Sequence, residues 1–371
     1  MSGVFVLAAG GTGGHLFPAE ALAAELVELG ADVRLLTDSR MHALTAAIVG
    51  VKFHLVRAGR FGGGPMRAVW GLTELATGTW QARRLLRRLR PAAVIGFGGY
   101  PSVPTMLAAY SLGLPTLIHE QNAVLGRANR LLAPIARRIA TGFPETARLR
   151  AADRARTVCT GNPVRPAILV AGNIAYAPPS PDGTVELLVV GGSQGAHILA
   201  EIVPAAVAML PAALRQRLRV SQQARPEDQA GVTAAYAKAG ICAEIAGFFA
   251  DVPQRLARAH LAICRAGAST VAELAALGRP AVLIPYPYAT DDHQTANARA
   301  FAAAGGGAVI AQSDLRAETL AAELDRLLGE GSTLSLMARR AAAFGRRDAA
   351  RQLASLALAL VPGAALRECA A

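Results

Sequence analysis

The residues of this 371-residue chain that could do chemistry are glycine clusters next to hydroxyls, a histidine at a helix start, and carboxylates and amides where apolar runs end. The first cluster, Gly10-Gly11-Thr12-Gly13-Gly14-His15, separates an apolar run from a helical pattern. Glycine admits positive φ and lets bare N–H groups approach a phosphate, and a helix N-terminus adds about half a positive charge. The cluster reads as an anion site, with a ligand-free tight turn as the plain alternative. It fits neither common nucleotide motif: G-x-G-x-x-G begun at Gly11 needs glycine where Leu16 stands, and Gly-Lys-Ser/Thr is absent. NAD and ATP chemistry are disfavoured accordingly. A neutral His15 at the helix start could accept a proton as a general base; a hydrogen-bonded capping or lining role is the alternative.

His119-Glu120-Gln121-Asn122 closes a later apolar run, which puts polar groups at a strand's carboxyl end. The second His of H-E-x-x-H is missing, so zinc is not implied, and helix capping by Asn122 is the competing reading. Gly96-Phe97-Gly98-Gly99-Tyr100-Pro101-Ser102 is a further strand-to-helix turn, read as lining for a large acceptor.

In the second half, Arg265-Ala266-Gly267-Ala268-Ser269-Thr270-Val271-Ala272-Glu273 reads as a helix opening at its Ser/Thr cap, with Glu273 on the first turn. A carboxylate there can accept both hydroxyls of a ribose while the N–H groups of the turn meet a diphosphate. Simple dipole stabilisation, about 0.3–1 kcal/mol, is the alternative. Gln294 and Asn297, three apart on the next helix, suit sugar hydroxyls. No metal site is assigned to Asp291, Asp292 and His293.

These groups need a scaffold, and the chain alternates short β-type runs with longer helical patterns. The runs are Val4–Ala9, Asp32–Thr37, Ala92–Ile95, Pro115–His119 and a segment near Arg156–Thr160, then Val185–Val190, Ile241–Ala246, Leu261–Cys264 and Ala281–Pro285. A helix is expected over Arg40–Val49 and another over Gln194–Met209. The pattern predicts an α/β fold of two doubly wound, Rossmann-like domains with parallel sheets. Ligands of such sheets sit at the carboxyl ends of the strands, so a cleft between facing domains is the expected active site. A proline-bearing stretch places the linker around 163–184. The boundaries are set at 1–163 and 164–333, with residues 334–360 read as a helix packing back on the first domain.

With 53% hydrophobic and 17% charged residues, the chain is globular rather than disordered. Its net charge of +12 is uneven: residues 1–165 hold 20 Lys and Arg against 9 Asp and Glu, and the remainder 18 against 17. That skew predicts an anionic partner for the first half: nucleic acid, a phosphate-bearing substrate or an acidic membrane. Residues Arg67–Arg90 set Val69, Trp70, Leu72, Leu75, Trp80, Leu85, Leu86 and Leu89 beside Arg83, Arg84, Arg87, Arg88 and Arg90. Such a helix can lie in a headgroup layer or pack into a core with a solvated basic face; nucleic acid lacks a recognition motif. Cys159, Cys242, Cys264 and Cys369 form no C-x-x-C pair, against a disulfide framework or thiolate zinc. With neither a signal-peptide pattern nor an apolar run of about 18–20 residues, a cytosolic protein with peripheral membrane contact is expected.

Taken in order, the clusters at 10–15, 98–102, 119–122, Gly161-Asn162-Pro163-Val164-Arg165, Gly191-Gly192-Ser193-Gln194-Gly195-Ala196, 267–273 and Asp292-His293-Gln294-Thr295-Ala296-Asn297-Ala298 resemble the peptidoglycan N-acetylglucosaminyltransferases of glycosyltransferase family 28. The resemblance spans most of the chain. It implies a glycosyltransferase-B fold whose N-terminal domain is acceptor-binding and membrane-facing and whose C-terminal domain binds the UDP-sugar. The implied reaction is inverting transfer of N-acetylglucosamine from UDP-N-acetylglucosamine to the muramoyl C4 hydroxyl of lipid I, forming lipid II, at the cytoplasmic face of the inner membrane. Donor contacts would be Thr12, Gly13, Gly14, Asn122, Arg165, Ser193, the backbone of Phe249, Ala268, Ser269, Thr270, Val271, Ala272, Glu273 and Gln294. Tyr100 and Ser102 would meet the acceptor, and His15 would be the base with Glu120 as rival. No cofactor or metal is implied, and the partners are the two substrates and an anionic membrane rather than nucleic acid. A UDP-N-acetylglucosamine 2-epimerase, another lipid glycosyltransferase, and a non-catalytic nucleotide-sugar-binding module are the alternatives.

Overall fold

The computed structural model describes residues 3–10, 13–38, 50–59, 65–192 and 195–361, of which 65–69 by backbone alone. The helix expected over Arg40–Val49, the site candidates Thr12 and Ser193, and Cys369 lie outside the described residues. The chain divides into two compact units, residues 1–165 with 347–371, and residues 166–346.

The first unit runs β1 (Val4–Ala8), α1 (Gly13–Glu28), β2 (Asp32–Thr37), β3 (Lys52–Leu55), α2 (Pro65–Leu89), β4 (Ala93–Gly96), α3 (Ser102–Ser111), β5 (Thr116–Glu120), α4 (Arg127–Leu132), β6 (Arg138–Thr141) and β7 (Thr157–Cys159). Among the described residues these strands form a parallel seven-stranded sheet in the order β3-β2-β1-β4-β5-β6-β7. Alternate residues of a strand face opposite sides, and both sides here are covered. Phe5, Leu7 and Ile95 pack with Leu16, Leu22 and Leu26 of α1, whereas Val6, Val94 and Ile118 pack with Leu86 of α2 and Met106 of α3. Each such side chain taken fully out of water contributes roughly 1.5–3 kcal/mol.

The second unit runs α5 (Pro166–Ala171), β8 (Val185–Val190), α6 (His197–Ala208), α7 (Ala212–Arg217), β9 (Leu218–Gln223), α8 (Pro226–Lys238), β10 (Cys242–Ala246), α9 (Val252–Arg258), β11 (Leu261–Cys264), α10 (Ala268–Leu277), β12 (Ala281–Leu283), α11 (His293–Ala303), β13 (Gly307–Val309), α12 (Ala317–Gly329) and α13 (Gly331–Phe344). Its sheet, among the described residues six-stranded and parallel, has the order β10-β9-β8-β11-β12-β13. Both sheets therefore reverse their winding at one place, between β1 and β4 in the first unit and between β8 and β11 in the second. The loops leaving those strands flank the position where doubly wound sheets bind ligands.

The strands and the last helices differ from the sequence expectation. β3, β6, β9 and β13 are additional strands, short or polar enough to escape the apolar pattern. Residues 334–360 are not one helix. Leu334, Ala338 and Ala341 of α13 are buried in the second unit, the chain turns after Phe344, and only α14 (Ala349–Leu358) returns to the first unit, where Leu353, Ala354 and Ala357 join the core beneath α1. The chain crosses between the units at Arg165 and Pro166, just ahead of α5.

Candidate active site

In the first unit the loops after β1 and β4 touch. Gly98 and Gly99 hold φ of 81° and 70°, in the left-handed region, and a Cβ at Gly99 would lie 3.0 Å from Gly10 O and 3.2 Å from His15 Cδ2. Only glycine meets both demands, conformational and steric. His15, the third residue of α1 and half-buried, has Nδ1 2.9 Å from Gln121 Oε1. Gln121 Nε2 lies 3.0 Å from His119 Nδ1 and 3.0 Å from His119 O, and His119 Nε2 lies 3.1 Å from Gly161 O. His119 is fully buried and tilted against the Phe97 ring at 5.7 Å. Burial pushes its pKa down to about 4, with an opposing contribution from the Gly161 carbonyl, so the ring is neutral at pH 7.

Glu120, the rival base, is buried beside this chain and engaged on both oxygens. Oε1 accepts from the main-chain N–H and the side-chain NH2 of Asn122, at 3.0 and 3.1 Å. Oε2 accepts from the Gly126 N–H at 2.8 Å and from Asn129 Nδ2 at 2.9 Å. A carboxylate so occupied ties the end of β5 to the start of α4. Asn122 thus serves the same loop. Ser102 is fully buried with its hydroxyl donating to Gly99 O at 2.9 Å, which suits it to shape the turn, whereas Tyr100 is half-buried. Arg165 lies over the Phe17 ring at 4.5 Å. Burial raises the Glu20 pKa, with Arg165 opposing that rise.

In the second unit, Gly192 and Gly195 hold φ of 85° and 68°, and a Cβ at Gly191 would stand 2.5 Å from Ala196 N, so the turn after β8 closes only with glycine. The turn after β11 leads into α10, whose cap is Gly267 in an extended conformation. The sequence suggested a Ser/Thr cap with Glu273 on the first turn. The helix instead begins at Ala268, and Glu273 is its sixth residue, buried in the second turn, where the end of the helix dipole acts weakly. The shift follows from the short loop: Gly267 supplies the extended residue, and Ser269 and Thr270 fall inside the first turn. Ser269 Oγ is buried and, among the described residues, has no hydrogen-bond partner.

Gln294 is fixed by two main-chain donors: its Oε1 accepts from Tyr286 N at 2.9 Å and Ala266 N at 3.2 Å. Both of these bonds fall on the carbonyl end of the amide, not on its NH2 end. Asn297, fully buried, donates instead to Ala266 O at 3.1 Å and so holds the turn. Asp291 and Asp292 just before α11 have φ of 56° and 52°, a strained pair that sets the entry of that helix. Among the described residues no group of three His, Cys, Asp or Glu could hold a metal ion. The Phe249 ring is buried under Arg255 at 4.1 Å, leaving its main chain for any contact.

Residues 5–141 match the glycosyltransferase family 28 N-terminal domain and residues 186–353 the glycosyltransferase family 28 C-terminal domain. The UDP-N-acetylglucosamine–N-acetylmuramyl-(pentapeptide) pyrophosphoryl-undecaprenol N-acetylglucosamine transferase of Rhodospirillum centenum is 57% identical over 353 residues, covering 95% of this chain and 93% of its own. Its namesake in Rhizobium meliloti is 52% identical over 97% of this chain and 96% of its own. Among solved structures, Acinetobacter baumannii MurG superposes with a TM-score of 0.78 at 31% identity, covering 96% of this chain and 99% of that one. A UDP-GlcNAc 2-epimerase from Neisseria meningitidis reaches a TM-score of 0.65 at 10% identity over 96% of this chain and 99% of its own, a likeness of fold alone. The two α/β units are those of the glycosyltransferase-B fold, and the chain belongs to glycosyltransferase family 28.

Proposed function

We propose that this chain transfers N-acetylglucosamine from UDP-N-acetylglucosamine to the C4 hydroxyl of the muramoyl sugar of undecaprenyl-pyrophosphoryl-N-acetylmuramoyl-pentapeptide, lipid I. The product is lipid II, the building block of peptidoglycan. One observation in the second unit carries the donor assignment. At its switch point, the glycine turn after β8 and the N-terminus of α10 leave neighbouring strands, and the Gln294 amide is held by its carbonyl end. Main-chain N–H groups from Ala268 to Thr270 meet the diphosphate, Glu273 the ribose and Gln294 the sugar hydroxyls, and Val271 and Ala272 join the donor contacts on the resemblance. The assignment of Thr12, Gly13, Gly14, Asn122, Arg165, Ser193 and the Phe249 backbone to the donor rests on the resemblance.

The reaction is an inverting single displacement. The acceptor oxygen bonds to the anomeric carbon, the bond from that carbon to the diphosphate breaks, and UDP leaves with the electron pair. His15 takes the hydroxyl proton, since Glu120 is held by four donors. Tyr100 and the first unit's glycine turns receive the acceptor.

The membrane reading is supported by α2, where Trp70, Leu72 and Trp80 are exposed alongside Arg84, Arg87 and Arg88. The chain docks peripherally on the anionic cytoplasmic leaflet through that helix; among the described residues no helix is long and apolar enough to cross a membrane. The epimerase alternative draws only on likeness of fold, whereas relatives above 50% identity carry the transferase name. Product analysis with a lipid I analogue tests the proposal. It requires a disaccharide from UDP-N-acetylglucosamine in preference to UDP-glucose and UDP-N-acetylgalactosamine. Consumption of donor without acceptor would point to the epimerase.

A further inference from the structure

His119 and Gln121 are buried polar groups that the reaction above does not use, and their hydrogen bonds admit one consistent proton arrangement. Gly161 O can only accept, so His119 Nε2, 3.1 Å away, donates. A neutral imidazole has one N–H, so His119 Nδ1 accepts, and the group 3.0 Å from it is the Gln121 amide. The same end of that amide lies 3.0 Å from His119 O, which also can only accept, so the NH2 faces His119. Gln121 Oε1 therefore faces His15 Nδ1 at 2.9 Å, and that nitrogen donates. Reversing the amide would set Oε1 against His119 O and require protons on both His119 nitrogens, a buried cation in a site that holds the ring neutral.

We infer that Gln121 and His119 are positioning residues that hold His15 in its Nδ1–H tautomer and leave the Nε2 lone pair to receive a proton. Gly99 leaves that edge of the ring uncrowded, since a Cβ there would press on Cδ2 at 3.2 Å and come into contact with Nε2 at 3.5 Å. When the acceptor hydroxyl is deprotonated its proton bonds to Nε2, the imidazolium keeps Nδ1–H on Gln121 Oε1, and no second proton moves. The tautomer follows from the geometry of the first unit alone; its catalytic use rests on the proposed transferase reaction.

The test is two-bond 1H–15N correlation on the full chain labelled with 15N-histidine, with His15→Gln and His119→Gln used to assign signals. In its neutral form His15 should show a protonated Nδ1 and an unprotonated Nε2, and His119, neutral at pH 7, the reverse. In Gln121→Met, His15 should become a mixture of tautomers and kcat should fall about tenfold, with KM for both substrates within about twofold. An Nε2–H tautomer for His15 in the unaltered protein overturns the inference, and this measurement needs no variant to fold. So does a Gln121→Met protein whose His15 tautomer is unchanged, whatever its turnover. Full turnover in His15→Ala alongside the expected tautomer would instead refute the base assignment.

Discussion

The Asn129 amide donates to Glu120 Oε2 over 2.9 Å, and the same oxygen accepts the Gly126 N–H at 2.8 Å. With both Asn122 donors on Oε1, a single buried carboxylate fixes the whole loop from β5 to α4. Glu120→Gln sets an NH2 group against two of those donors and should cost roughly 1–3 kcal/mol of stability, read as a lower midpoint of thermal unfolding. His15→Ala takes the donor from Gln121 Oε1 and should also lower the melting midpoint, but kcat should fall about 10²–10⁴-fold in protein that is still folded. A Glu120→Gln protein with the parent melting point and no turnover would transfer the base role to Glu120.

Gln294→Glu keeps an oxygen for the N–H groups of Ala266 and Tyr286 but removes the NH2. Calorimetric titration should show UDP-N-acetylglucosamine affinity falling about tenfold or more, with UDP affinity falling much less, because a site built to donate to a hydroxyl loses that partner. Equal losses for both ligands would place Gln294 at the nucleotide rather than the sugar.

The glycine turns were legible in the sequence because their constraint is local: Gly98, Gly99, Gly192 and Gly195 take φ values that other residues resist. What they assemble was not. His15 and Gln121 stand 106 positions apart, and only the pairing of β1, β4 and β5 brings their helix and strand ends together. The start of α10 was misplaced because Ser269 and Thr270 look like caps, although the extended residue is Gly267. Edge strands such as β3, exposed at Lys52 and Leu55, lack the continuous apolar run that marked β4. The apolar residues of α2 occupy two faces: Leu86 is buried, whereas Trp70 and Trp80 are exposed.

That second face leads to a membrane prediction. Arg84 lies over the Trp80 ring at 5.8 Å, with Arg87 and Arg88 exposed one turn on. Replacing Arg84, Arg87 and Arg88 together by Glu should reduce sedimentation with phosphatidylglycerol vesicles at least tenfold, since each near-surface cation is worth about 1 kcal/mol on an anionic leaflet. Turnover of a water-soluble acceptor should be retained. Unchanged sedimentation would remove α2 from the docking surface.

Buried neutral His119 also gives stability a pH signature. Its pKa is lowered to about 4 in the fold by burial, below its unfolded value near 6.5, so between those limits the unfolded chain binds a proton that the native chain refuses. Its contribution is complete above about pH 6.5 and is lost on acidification toward pH 4, on the order of 1.4 kcal/mol per pH unit. Denaturant titrations from pH 7 to 4 should give a shallower fall for His119→Gln than for the parent. Identical slopes would mean that His119 is protonated in the fold.

The donor site is tested most directly by a crystal soaked with UDP. The diphosphate should lie on the N–H groups that open α10, with the ribose hydroxyls on Glu273. UDP bound elsewhere, with the turn from Gly267 to Glu273 empty, would contradict the account.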